Sequence, residues 1–232
     1  MNLLCIDTSG QTLGVSIVSE GMPLCEINAR CGNAHSVNLM PFVDFALNTA
    51  GLAVEQIDCF SAVTGPGSFT GVRIGVQTVK SLAHAAQKNC LGVNALEALA
   101  HGVLPYEGLI APLQDARAGQ VYAALFRGNT RIWPDEALAL DEFLAKLPEE
   151  PVVFVGDGAI AFREKIAQTL GERTRFAPEN RMTIRAADAA LLAWENRQNA
   201  AGWEQLAPLY LRAPQAERER AERLAREAHS NG

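Results

Sequence analysis

A chain of 232 residues that is 48% hydrophobic can bury one large core or two small ones, which excludes disorder as its ordinary state. A net charge of -6 and a pI near 5.3 exclude a protein that grips nucleic acid by its own surface, because phosphate binding draws on clustered Lys and Arg; any RNA contact then needs a second subunit. Five cysteines, odd in number and without Cys-x-x-Cys spacing, exclude a disulfide framework and a thiolate metal site, and no apolar run reaches the ~20 residues that span a bilayer. With no signal-like N-terminus, these features predict a reduced, cytoplasmic, soluble protein.

Residues 3–6 read as a buried strand, Asp7-Thr8-Ser9-Gly10-Gln11 as a polar turn, and residues 12–19 as a second strand with Leu13, Val15 and Ile17 on one face. Glu20-Gly21 turns the chain into a third strand over 23–28, so three antiparallel strands open the fold. Asn33-Ala34-His35-Ser36 is a start signal for a helix in which Leu39, Met40, Val43, Ala46, Leu47 and Ala50 recur at helical spacing until Gly51. Pro41 implies that regular helix begins near Asn38 or that its first turns are kinked. Val37, Phe42 and Phe45 lie off the main stripe, so the helix is apolar around much of its circumference and is covered by a partner or sandwiched within one domain.

A strand over 57–63 leads into Gly65-Pro66-Gly67-Ser68-Phe69-Thr70-Gly71-Val72-Arg73-Ile74-Gly75 and then a helix over 72–86. A strand over 90–94 and a short helix over 96–101 follow. The same grammar then restarts: a strand over 109–115 ending on Asp115, a turn through Ala116-Arg117-Ala118-Gly119, and a strand over 120–126 with a hairpin turn at Gly128-Asn129. The strand over 152–155 runs through Gly156-Asp157-Gly158 into a helix over 159–170, an echo of the first glycine junction that points to a duplication. A helix over 186–196, an extended segment over 206–211 and an alternating Glu/Arg tail over 217–227 complete the chain.

The glycine stretch is neither Gly-x-x-x-x-Gly-Lys-Ser/Thr nor Gly-x-Gly-x-x-Gly, because Val72-Arg73 and Thr70 stand at the deciding positions. What remains is an anion site at a helix N-terminus, with Gly65, Gly67, Ser68, Thr70 and Arg73 as its parts, or a tight turn whose glycines permit close packing. Asp7, Thr8 and Ser9 likewise form a phosphate or metal-water turn or a capped strand end. His35, His84, His101 and His229 are too scattered for a metal site, and Leu39 stands where a His-x-x-x-His pair needs its second ligand.

Ile6-Asp7-Thr8-Ser9, His35-Ser36 with Leu39-Met40-Pro41, the Gly65 to Gly75 block, Leu96-Glu97-Ala98-Leu99-Ala100, Asp115-Ala116-Arg117 with Val121-Tyr122, and Pro208 with Tyr210-Leu211-Arg212 together resemble the bacterial TsaB (YeaZ) family. The resemblance implies an α/β, actin/Hsp70-like (ASKHA) fold of duplicated ββ-hairpin-plus-βα domains, with mixed sheets flanked by helices. Its domains would be 1–102, 103–213, whose last segment packs back on the first, and a charged tail at 214–232.

The family's role implies a non-catalytic scaffold for forming N6-threonylcarbamoyladenosine beside the tRNA anticodon. The partners would be the catalytic subunit TsaD, the ATPase TsaE, and a second copy of the chain when TsaD is absent. Contact with tRNA would come only through the complex, and contact with membranes not at all. No metal or cofactor is required of this chain, ATP or ADP belonging at a subunit junction. His35 is retained and Leu39 replaces TsaD's second metal ligand. The expected interface is a helical bundle built on Leu39, Met40, Val43, Leu47, Val72, Gly75, Val76, Val79 and Ala83. A stand-alone actin-like ATPase or small-molecule kinase using Asp7 and the glycine turn is the alternative.

Overall fold

The computed structural model describes residues 1–32 and 34–212. Asn33, the Glu/Arg pattern over 217–227 and the tail at 214–232 lie outside the described residues. Two five-stranded sheets carry the chain. The first holds β1 (Asn2–Asp7), β2 (Thr12–Ser19), β3 (Met22–Arg30), β4 (Cys59–Gly65) and β5 (Asn89–Asn94), in the order β3-β2-β1-β4-β5. The second holds β6 (Leu109–Asp115), β7 (Gln120–Arg127), β8 (Thr130–Ala139), β9 (Val152–Val155) and β10 (Thr174–Phe176), in the order β10-β9-β6-β7-β8. Each sheet opens with an antiparallel meander, β1-β2-β3 or β6-β7-β8, and continues from its first strand through two parallel ones. The identical order is the duplication that the repeated strand-acid-turn grammar predicts.

Among the described residues, the α-helices α1 (His35–Ala50), α2 (Phe69–Ala86), α3 (Ala95–His101), α4 (Leu140–Lys146), α5 (Asp157–Ala161), α6 (Arg163–Leu170) and α7 (Ala186–Glu195) cover these sheets. β1 and β4 are buried on both faces, as their unbroken apolar runs require. One core packs α1 and α2 on the outer face of the first sheet through Leu39, Val43, Val72, Val76 and Val79. A middle core joins α3 and α7 to both sheets through Leu96, Leu99, Ile110, Phe126, Val155 and Ala190. A third core holds α4 and α6 against the second sheet through Phe143, Phe154 and Ile166.

The start of α7 is tied to the first sheet by caps borrowed from β3. Ala186 N–H donates to Asn28 Oδ1 at 3.0 Å and Ala187 N–H to Glu26 Oε1 at 3.0 Å, supplying acceptors that the start of α7 lacks in its own sequence. Burial pushes the Glu26 carboxyl up, but the Arg185 guanidinium and the Ala187 N–H outweigh it and hold the group below its usual value. After α7 the chain returns to the first sheet: Cys90 and Ala201 form an antiparallel bridge, Lys80 Nζ donates to the Leu206 carbonyl at 3.1 Å, and Leu209 N–H donates to the Thr64 carbonyl at 2.7 Å.

Several expectations need correction. Of the nine proposed interface residues, Leu39, Val43, Val72, Gly75, Val76, Val79 and Ala83 are buried within the chain itself, Leu47 is half-buried, and Met40 alone is exposed. A helix gives its main apolar stripe to its own sheet first, and that stripe is what the periodicity picks out. Gly75 makes room for β1's turn and not for a partner helix, since a Cβ there would strike Thr8 Oγ1.

α1 runs from His35 straight through Pro41, and the carbonyl that proline leaves unpaired belongs to solvent-exposed Val37. The helix expected over 159–170 breaks at Phe162 into α5 and α6. For β8 the sequence offers only the hairpin turn at Gly128-Asn129, and α4 and β10 carry no sequence expectation. β8 is an edge strand carrying Pro134, and its half-exposed alternation lacks the apolar run that marks a central strand. The segment 206–211 lies on the first sheet without joining it as a strand.

Candidate functional site

The two first strands of the two sheets end in matching turns. Asp7 Oδ1, at the end of β1, accepts the Ser9 N–H at 2.8 Å and the Ser9 hydroxyl at 2.7 Å. Asp115 Oδ1, at the end of β6, accepts the Arg117 N–H at 2.8 Å. In both, a carboxylate reaches two residues forward and holds a backbone amide. Between the turns and the start of α2 lies a cleft of about 640 Å³.

The glycine block closes one side of this cleft by bonding to the first turn. Ser68 N–H donates to the Ser9 carbonyl at 2.8 Å, the Thr8 hydroxyl donates to the Gly71 carbonyl at 2.7 Å, and Ser68 Oγ caps α2 by accepting the Gly71 N–H at 3.2 Å. A Cβ at Gly71 would run into the Thr8 carbonyl. These glycines thus allow close packing against the first turn, and of the polar groups expected to meet an anion, Thr8, Ser9 and Ser68 are hydrogen-bonded within this part of the chain.

Of the candidate anion contacts, Ser9, Gly67, Ser68 and Thr70 line the cleft, whereas Asp7, Thr8, Gly65 and Arg73 do not. Asp7 is 2% exposed, and burial pushes its carboxyl up to about 6 against the two Ser9 hydrogen bonds. The Arg73 guanidinium sits 4.6 Å from the centre of the Phe69 ring, and that ring stacks on Tyr210 with centroids 4.6 Å apart, so the arginine is held on an aromatic pair at the cleft's rim. His35 is buried with Nε2 3.1 Å from the Gly10 carbonyl, and one turn on Leu39 points into the core.

The other side of the cleft is only half visible in the sequence. Gln114, Asp115, Arg117, Tyr122 and Asp157 line it. Asp115 stands out in the sequence as an echo of Asp7, and Asp157 as part of an echo of the glycine junction; that repeat is the signal that could have put them in one site. Asp157 Oδ1 accepts the Asp115 N–H at 3.1 Å, and burial first, then the neighbouring Asp115 charge, push the Asp157 carboxyl up.

A second feature lies on α1. Val37 is 72% exposed, Met40 49% and Phe45 60%; they are spread over the broad outer side of α1, away from the core stripe of Leu39, Val43 and Ala46, on an arc that also carries the exposed Asp44 and Asn48. The sequence marks Val37 and Phe45 as surplus without placing them in the interface.

Comparison with known proteins converges on one family. A family model described as TsaD, tRNA N6-adenosine threonylcarbamoyltransferase, matches residues 29–220. The tRNA threonylcarbamoyladenosine biosynthesis protein TsaB of Bacillus subtilis is 34% identical over 223 residues, which cover 94% of this chain and 96% of that protein. The solved structure of YeaZ from Pseudomonas aeruginosa superposes with a TM-score of 0.78 at 26% identity, covering 90% of this chain and 99% of that one. The ethanolamine utilization protein EutJ from Carboxydothermus hydrogenoformans, at 12% identity and a TM-score of 0.53 over 82% of this chain and 89% of its own, shares the fold alone. The fold is thus the duplicated actin-like one, and the chain belongs to the TsaB (YeaZ) family of tRNA threonylcarbamoyladenosine biosynthesis proteins.

Proposed function

We propose that this chain works in forming N6-threonylcarbamoyladenosine in tRNA as a non-catalytic subunit that docks on the TsaD transferase through the exposed face of α1. The observation that carries the docking reading is the set of large apolar side chains Val37, Met40 and Phe45 on the outer side of α1, exposed among the described residues. The named function of the Bacillus subtilis relative and the match to a transferase family model support the pathway. TsaE would join the pair, a second copy of this chain would cover α1 when TsaD is missing, and tRNA would be met in the cytoplasm through the complex. ATP or ADP, where bound, would sit at a subunit junction. The stand-alone ATPase or kinase has less behind it, because Thr8, Ser9 and Ser68 direct hydrogen bonds at their own chain.

The test is co-purification of TsaD with the double variant Met40→Asp, Phe45→Arg. Both side chains are solvent-facing, so the variant's own melting temperature should stay within about 2 °C of the parent while TsaD is lost from the eluate. Retention of TsaD at parental yield would sink the assignment. Calorimetry with ATP, ADP and magnesium checks the alternative: turnover that Asp7→Ala removes would favour an enzyme.

A further inference from the structure

The first sheet has an open edge at β5, across the sheet from α1, which packs on β2 and β3. The chain returning from α7 covers that edge by one rung: Cys90 N–H donates to the Ala201 carbonyl at 2.8 Å, and Ala201 N–H to the Cys90 carbonyl at 2.9 Å. Backbone groups of alternate residues face the same side of a strand, so Gly92 presents its N–H and carbonyl to this edge as Cys90 does. The Val93 carbonyl faces β4 instead, where it accepts the Thr64 hydroxyl at 3.2 Å. An antiparallel continuation would set Asn199 opposite Gly92, but a 3-10 turn over Arg197–Asn199 carries the chain off that path. Gly92 is exposed, and neither of its backbone groups has a partner among the described residues.

The vacant rung opens into a cavity of about 460 Å³ between β5, the end of α7 and the returning chain. None of the described residues that line it is Lys, Arg or His, and its one acid, Glu97, is paired with Arg131 at 3.3 Å. Leu91 and Val93, on either side of Gly92, belong to the middle core, on the side where Leu192 and Ala193 line the cavity. A Cβ on Gly92 would point the other way, to Thr64 and Leu206. Asn199 and Gln205, on the returning chain, bring side-chain amides that both donate and accept.

We propose that this cavity receives an extended, uncharged segment of a partner protein, which adds to the first sheet as an antiparallel strand beside β5. An N–H and a carbonyl offered by one edge residue are complemented by the same pair on a facing antiparallel residue, as Ala201 does for Cys90. The guest residue opposite Gly92 puts its side chain on the Leu206 side. Its two neighbours meet Leu192 and Ala193 at close quarters, which selects small side chains. With no unpaired charge among the described residues of the lining, a charged guest would lose its water without gaining a partner, so uncharged residues are favoured. A bare strand edge invites pairing with any chain; here the surrounding walls narrow that invitation to one class of guest.

The experiment is a titration of the isotope-labelled full chain with the blocked tripeptide acetyl-Ala-Ser-Ala-N-methylamide, followed through backbone amide resonances. The expected result is a saturable shift of the Gly92 amide with a Kd of about 1 mM, the affinity open to a ligand of this size. Methylating the central amide nitrogen of the peptide removes the donor to the Gly92 carbonyl and should weaken binding about tenfold, as should lysine in place of both alanines. Ala207→Trp, at an exposed position in the lining, should plug the cavity and keep the parent's melting temperature. If that variant does not fold, the methylated peptide decides on the parent chain. No saturable Gly92 shift up to about 20 mM peptide, equal binding of the methylated peptide, or undiminished binding to folded Ala207→Trp would overturn the proposal. So would a Gly92 resonance that moves with protein concentration alone, because a second copy of this chain would then occupy the edge. Since co-purification with TsaD reads the outer side of α1, failure here leaves the docking proposal standing.

Discussion

The two halves of this molecule share a strand order and a strand-end turn, yet they treat the turn differently. In the first half, the turn at Asp7 is clamped: Thr8 bonds to α2, Ser9 bonds to the glycine block, and the carboxylate is buried behind its own serine. In the second half, the Asp115 carboxylate keeps only its amide bond to Arg117 and faces an open cleft beside a second acid. A duplicated fold can therefore convert one copy of a polar turn into a packing joint while the other keeps unpaired polar atoms. The conversion rests on glycines that let α2 lie against the turn, a long-range contact that neither segment's local pattern encodes.

The largest effect should come from filling the clamped joint. Gly71→Val drives a branched side chain into the Thr8 backbone carbonyl and should cost about 4 kcal/mol in urea unfolding, near the top of the range for single substitutions. In the second turn Gly119 has φ +72°, and a Cβ added there would meet no atom within 4 Å, so Gly119→Ala should cost only about 1 kcal/mol from backbone strain. Equal costs at the two positions would erase the distinction between a packed and an open turn.

The next effect is a pH dependence. The Asp7 carboxyl is raised by burial from 3.8 to about 6. Between those values the folded chain binds a proton that the unfolded chain has released, so stability falls as pH rises from about 4 to 6. Asp7→Asn cannot titrate. Relative to the parent it should gain up to about 3 kcal/mol between about pH 4 and pH 7, whatever constant offset the amide adds. A difference in stability that is flat over this window would show that Asp7 is not buried as a carboxylate.

Much of this architecture is legible in the amino-acid sequence. The strands on either side of Asp7 and Asp115, the glycine junction and its echo at Gly156-Asp157-Gly158 all stand where the local patterns place them, because a buried strand and an acidic turn leave strong signatures. What covers a helix leaves no such signature. Leu39 and Val43 on α1, like Val76 and Val79 on α2, lie on a helical stripe whether a partner or the chain's own sheet covers it, and the sheet has first claim on each stripe. The better sequence signal for an interface is the surplus: Val37 and Phe45, apolar residues left over once the stripe is assigned. The second-half wall of the cleft is hidden for a different reason. Asp115 and Asp157 are 42 positions apart, and only the close approach of Gly156 to β6 makes them neighbours.

The smallest effect decides what kind of joint the first turn is. The Thr8 hydroxyl donates to the Gly71 carbonyl at 2.7 Å from 63 residues away. Thr8→Val preserves the side chain's shape and removes that donor, while the Gly71 carbonyl, within α2, still has its helical partner to satisfy it. The loss should therefore be a single net hydrogen bond, about 1 kcal/mol, seen as a lower urea midpoint at unchanged slope and largely restored by Thr8→Ser. A neutral Thr8→Val beside a costly Gly71→Val would mean that shape alone holds α2 on the turn. A loss several times larger would mean that the hydroxyl, and not the glycine, is what seats the helix.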